Sequence, residues 1–186
     1  MPKKICWGRL VFRYLVLFTC LLVINMQPVW AGMKDDRYDG NIFVVYAGNG
    51  SLVPVKETLA QSLAAHRPAV LAFYVDDSSD CKQYAIVISR VQEYYGRVVD
   101  VIPVNVDTIL PNGTYSDQEP GYYYSGSIPQ VVVLNQLGQV VLNQTGQVPF
   151  EKIDDSLRQV FNLLPRTESP ELKRRAFNEF SSELSN

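Results

Sequence analysis

The chain is poor in the residues most active chemistry relies on. Its 186 residues include three cysteines, one histidine and two tryptophans. Three cysteines are too few for a disulfide scaffold, and two of them, Cys6 and Cys20, lie in the first 31 residues. The single histidine, His66, completes no Ser-His-Asp triad, because the chain contains no Gly-x-Ser-x-Gly elbow. There is no excess of basic charge: 17 Lys and Arg stand against 19 Asp and Glu, a net −2. That excludes the bulk basic surface of a nucleic-acid binder. The acidic stretch Asp76-Asp77-Ser78-Ser79-Asp80 is no calcium loop. With Asp77 as position one, Lys82 stands where the sixth-place glycine belongs and Ile88 where the twelfth-place carboxylate belongs. No metal is expected, and no cofactor.

What the chain does have is a 47% hydrophobic composition, enough for a packed core. Its charge is segregated. Residues 1–31 carry Lys3, Lys4, Arg9 and Arg13 and no acid, so residues 32–186 carry about −6. Lys3 and Lys4 open a basic region, Tyr14 to Ile24 is apolar apart from Thr19, and Val29-Trp30-Ala31 is a small-x-small ending. This is the pattern of a secretory signal peptide cleaved after Ala31. Retention as a membrane anchor stays open, because Leu10 to Met26 reaches the lower limit of a span, about 17 residues. Lipidation at Cys20 is disfavoured by Thr19 before it. In either main reading the basic end stays behind and the rest is exported or anchored on the far side of a membrane.

Beyond Ala31 the periodicities alternate. Asn41 to Tyr46 reads as a strand, Val55 to His66 as a helix ending before Pro68, and Ala69 to Val75 as a strand covered on both faces. Asp80 and Gln83 form a capping-box pair opening a helix through Tyr84, Val87, Ile88, Val91 and Tyr95 to Gly96. Val98 to Val106 is a strand. Val131 to Leu134 and Val140 to Leu142 flank a hairpin turn at residues 135–139, and Phe150 to Leu164 is a helix. The order predicts an α/β fold, a central mixed sheet with helices on both faces. The domain runs over 32–164 with a loop insertion at 107–127. A charged amphipathic tail, 165–186, follows, with a helix expected over 171–184.

The segment from Pro68 to Phe161 resembles a thioredoxin-fold domain. The strand 70–75 runs into a loop where Cys81-Lys82 opens a long helix. Ser127-Ile128-Pro129 matches the family's Ile-Pro, whose proline is cis and faces the active site. The strand Val131-Val132-Val133-Leu134 with Gly138 matches the hairpin. Where thioredoxins have Trp-Cys-Gly-Pro-Cys-Lys, this chain has Asp77-Ser78-Ser79-Asp80-Cys81-Lys82. Ser78 replaces the attacking cysteine. The family's buried Asp, nine residues before the second cysteine, is Ala72 here. Dithiol exchange needs an attacking thiolate and a resolving partner, so ordinary thioredoxin activity is excluded.

Cys81 is the candidate thiol. It reads as a buried structural residue, a single reactive cysteine, or one half of a mixed disulfide. Asp76, Asp77 and Asp80 disfavour its thiolate. The candidate binding groove comprises Ser78, Asp80, Cys81, Ile128 and Pro129, together with Tyr122, Tyr123 and Tyr124 of the insertion. The insertion is expected to hang over the face bearing Cys81 and Pro129. Its tyrosines either offer contact area to a partner or pack beneath the loop to hold it. Asn112-Gly113-Thr114 and Asn143-Gln144-Thr145 match glycosylation acceptors, which matter only in a eukaryotic secretory pathway. The tail either docks on its own domain or serves a partner or membrane surface.

The combination of export segment, degenerate thioredoxin domain, Tyr-rich insertion and charged tail resembles the cyanobacterial thioredoxin-like photosystem I accumulation factors of thylakoids. The resemblance implies a non-catalytic protein that binds partner polypeptides, photosystem I subunits or their assembly intermediates, on the lumenal or periplasmic side. The alternative is a single-cysteine thiol-disulfide transferase or isomerase acting through Cys81, and a purely structural subunit is the third reading.

Overall fold

The computed structural model describes residues 7–24 and 32–169. The chain divides into two units, Met1–Gly32 and Met33–Asn186. In the first, helix α1 spans Trp7–Ile24, and apolar side chains from Leu10 to Leu22 are exposed along it. Thr19, the polar residue within its apolar run, is satisfied inside the helix: the hydroxyl donates to the carbonyls of Leu15 (3.0 Å) and Val16 (2.9 Å). Among the described residues, no helix is long and apolar enough to cross a membrane. Ala31 and the expected helix over 171–184 lie outside the described residues.

The second unit is built on a sheet of β1 (Ala69–Tyr74), β2 (Asp100–Asn105), β3 (Gln130–Leu134) and β4 (Val140–Thr145). Its order is β2-β1-β3-β4. β1 runs parallel to β2 and antiparallel to β3, and β3 is antiparallel to β4. Every residue of β1 is buried, as its unbroken apolar run requires for a central strand. Strand alternation then sorts the core into two layers. Val70, Ala72, Val131 and Val133 face α4 (Ser79–Tyr95), α5 (Phe150–Val160) and the short α2 (Ile42–Val45). Leu71, Phe73, Val132 and Leu134 face Leu59 of α3 (Leu59–Ala64) and Tyr123 of the insertion. This is a thioredoxin-like α/β fold, a mixed four-stranded sheet flanked by helices.

Several elements differ from the sequence expectation. Residues 41–46 form a helical turn, not a strand. The Asn41 side chain accepts from Phe43 N–H (3.1 Å), and Asp76 accepts from Ile42 N–H (3.0 Å), so two of the turn's free donors are satisfied. The adjacent Ile42 and Phe43 are both buried while Val44 and Val45 are exposed, a pattern of one helical side rather than of a pleat. β2 is consequently an edge strand, and Pro103 in its middle is tolerated there because no neighbour needs its missing N–H. The helix expected over 55–66 is only α3, opened by a true capping box between Thr58 and Gln61. The box expected at Asp80 and Gln83 does not form. Ser78 caps α4 instead, and the Gln83 side chain donates to the Ser79 carbonyl. The last helix stops at Val160, not Leu164.

Candidate functional site

The carboxyl ends of β1 and β2 and the start of β3 meet at one end of the sheet, since Phe73 lies opposite Gln130 and Tyr74 opposite Asn105. In open α/β sheets ligands bind at the carboxyl ends of the strands. Here that end carries the 75–78 loop with the first turn of α4, the insertion and Ile128-Pro129.

The first turn of α4 explains the state of Cys81. The Ser78 hydroxyl oxygen accepts the Cys81 N–H (3.3 Å), so the residue standing in place of the attacking cysteine is a helix cap. Cys81 itself is 1% exposed. Burial pushes its thiol up, and the charges of Asp80 and Asp77 add to the rise. Hydrogen bonds with the Val75 backbone and Ser78 pull it back without cancelling it. Proximity to a helix N-terminus is therefore outweighed, and the thiol is not activated. Asp80 is exposed and accepts from the Gln147 side chain (3.0 Å). Among the described residues, no group of three or more His, Cys, Asp or Glu is placed to hold a metal ion.

The Ile128–Pro129 peptide is cis. Pro129 is buried, and Ile128 packs against both core layers. Gln130, next in sequence and 0% exposed, uses its whole amide. It donates to the Tyr123 carbonyl and to Asn143 Oδ1, both 2.8 Å, and accepts from Ser125 N–H (2.9 Å) and Oγ (3.1 Å). The insertion is thus clamped to β3 beside the proline.

The three tyrosines separate. Tyr123 is buried in the layer facing α3 and donates to the Asp117 carbonyl (2.7 Å). Tyr124 stacks on Phe73 at 5.4 Å. Only Tyr122, 60% exposed, faces outward. The insertion therefore covers the α3 side of the sheet, whereas Cys81 belongs to the α4 side, so it does not hang over the cysteine as expected. Tyr123 instead lines a groove of about 380 Å³ with Leu63, Ala64, His66 and Leu137. The loop has its own centre in Tyr115, whose hydroxyl accepts Leu110 N–H (2.6 Å). Its ring lies so close to Gly113 and Gly121 that a Cβ at either would meet it at 2.6 or 2.7 Å.

The sequence did not disclose the role of residues 35–46. Lys82, a charged residue directly after Cys81, is 0% exposed. Its ammonium donates to the Asp35 carbonyl (2.9 Å), Asp35 Oδ1 (3.1 Å) and Asp39 Oδ2 (2.9 Å), and lies over the Tyr46 ring. Burial pulls its pKa down, but the bonds to Asp39 and Asp35 win and hold it above the ordinary lysine value. The Tyr46 hydroxyl and Lys82 hold Asp39 below the usual carboxylate range. Asp36 accepts the Ser79 N–H (2.7 Å), which lowers it likewise. Asp76 bridges Ile42 N–H and the Asn105 side chain (3.3 Å). Burial raises the Asp76 carboxyl, and Asp107 and Asp77 raise it further, against the pull of those two bonds. Three acids within the five residues 35–39 were the only visible signal, and nothing in the spacing named a partner more than forty positions away.

No family model matches the chain. It is 56% identical over 154 residues to the thylakoid membrane protein slr1796 of Synechocystis sp., covering 83% of this chain and 77% of that one. The chain belongs to the family of that cyanobacterial protein. Among solved structures, it is similar to the germline-specific thioredoxin Deadhead of Drosophila melanogaster, at 20% identity and a TM-score of 0.41. That likeness covers 52% of this chain and 83% of the other. A malarial protein is similar at 15% identity and TM-score 0.41, over 50% of this chain and 96% of its own. The family member from Synechocystis is a thylakoid membrane protein by name.

Proposed function

We propose that the protein is a redox-inactive thioredoxin-like binding protein that engages partner polypeptides at the carboxyl ends of β1 and β2. Its task in this reading is to assist the accumulation of photosystem I in thylakoid membranes. The observation that carries the loss of redox chemistry is the α4 first turn. Its one thiol, Cys81, is buried and raised, and Ser78 spends its side chain as the helix cap. A single-cysteine transferase or isomerase acting through Cys81 needs an accessible thiolate, which this environment opposes.

Peptide capture needs no thiol. An extended segment held by backbone hydrogen bonds beside Ile128 and Pro129 needs a rigid rim, and the Gln130 clamp supplies one. The thylakoid setting is supported by the relative's name, and the N-terminal segment accounts for export or membrane association on the lumenal side. Photosystem I subunits or their assembly intermediates are the proposed partners, on the strength of the resemblance described above. The test is disruption of the gene in a cyanobacterium. Photosystem I content, read as photo-oxidisable reaction centre, should fall while photosystem II holds. Tagged protein should retain photosystem I subunits through membrane solubilisation. Unchanged photosystem I content would sink the assembly role.

A further inference from the structure

The segment Asp35–Asp39 has the construction of a latch. No residue from 33 to 40 is buried, while Ile42 and Phe43 immediately beyond are core. Between them stands Gly40 at φ +108°, a left-handed conformation in which a side chain would be strained. On the free side of that hinge, two polar attachments reach the first turn of α4. Asp36 takes the Ser79 N–H, and the Asp35 carbonyl and the Asp35 and Asp39 carboxylates all accept from the Lys82 ammonium. These attachments bracket Cys81, on the residues two before and one after it. On the core side, Ile42 N–H is held separately by Asp76.

We infer that residues 33–39 are a built-in strap that closes over the α4 first turn and swings about Gly40, with Lys82 as its keeper. When closed, it occupies the helix N-terminal donor and the buried ammonium of Lys82. A partner polypeptide using this end meets the strap first. This part of the inference rests on the binding role proposed above. The strap itself does not, and its test involves no partner.

Segments held by few apolar contacts open locally, below the free energy of global unfolding. Breaking a buried ion pair by removing one partner is strongly unfavourable. Lys82→Met keeps an unbranched apolar stem without the ammonium and leaves both Asp36 and Ser79 in place. If the strap moves as one body, losing the keeper frees Asp36 as well. The experiment is amide hydrogen exchange by NMR on the purified full chain, read at amides of the Met33–Asn186 unit. In the wild type, Ser79 N–H should exchange with little denaturant dependence, by local opening. The amides of Leu71 and Val132 in the sheet should follow global unfolding. In Lys82→Met, Ser79 exchange should accelerate about a hundredfold, the order expected for a broken buried pair, and Ile42 much less, because it lies beyond the hinge. Leu157→Ala, a destabilised control far from the strap, should accelerate the sheet amides and not Ser79 at low denaturant. Three results overturn the inference. One is Ser79 unaffected by Lys82→Met, another is Ser79 tracking the sheet amides at every denaturant concentration, and the third is Ile42 accelerating as much as Ser79.

Discussion

Replacing Gln130 by leucine tests how the site's rim is held. The leucine is apolar, branches one atom earlier than the glutamine, and suits a position that is 0% exposed. It removes both donors and the acceptor at once. The Tyr123 carbonyl and the Ser125 N–H lose their partner, whereas Asn143 is exposed and can turn to solvent. A buried backbone group left without a partner costs about 1–3 kcal/mol. Ser125 lies nearer solvent than Tyr123, so the pair should cost about 2–4 kcal/mol together. For a domain of this size that is a fall in Tm of roughly 6–15 °C. Thermal and urea unfolding of the purified protein give the number, and exchange at Ser125 shows whether the loss is local. Gln130→Glu keeps the shape but sets a carboxylate against the Tyr123 carbonyl, so it should be worse than the leucine. Gln130→Leu within about 0.5 kcal/mol of the wild type, the range of a neutral surface change, would refute the clamp.

Other consequences are equally measurable. Gly121→Ala places a methyl group 2.7 Å from the Tyr115 ring, which its hydroxyl bond to Leu110 holds in place. It should cost about 1–3 kcal/mol, and Tyr115→Ala in the same chain should recover part of that cost in urea unfolding. The hydroxyl of Tyr84 is buried, with no hydrogen-bond partner among the described residues, so Tyr84→Phe should be neutral or stabilising by about 1 kcal/mol. Alkylation of Cys81 in the folded protein should be slow, with a pH midpoint above that of a free thiol, about 8.5. Asp36 and Asp39 have folded pKa values below their unfolded ones. Their contribution is therefore full above the unfolded value, about 3.9, and is lost as pH falls through the folded values. Ser79 protection should hold from neutral pH to about 5 and decline only below about 4.

The sheet was legible because its strands advertise themselves. Residues 69–75 and 131–134 are continuous β-branched and apolar runs, and the order of elements leaves few topologies for them. Ser78 and Ala72 were equally legible as losses, since a missing thiol and a missing carboxylate need no coordinates. Residues 41–46 misled because Ile, Phe and Val in a row favour a strand locally. The capping of the turn by Asn41 and by Asp76, 34 residues apart from Ile42, is a tertiary fact. The helix start misled for a smaller reason: Ser78 and Asp80 are both good caps, and only the fold shows that the Ser78 hydroxyl takes the N–H three residues on, at Cys81. Long-range polar pairs were invisible. Lys82 beside three aspartates reads as a surface charge, and only the fold shows it buried against Asp35 and Asp39. Gln130 leading an apolar strand was a usable hint, because a polar residue at a buried position must have partners.

The central claim is that the protein works without thiol chemistry, and one strain tests it most directly. In a cyanobacterium lacking the gene, the chain is restored as Cys81→Ser, which keeps the small polar group in the α4 first turn and removes the sulfur. Photosystem I content is then measured against a strain carrying the unaltered chain. The account predicts equal restoration, within the scatter of the control. Failure of Cys81→Ser to restore photosystem I, with the protein present at its normal level, would contradict it and return the function to the single cysteine.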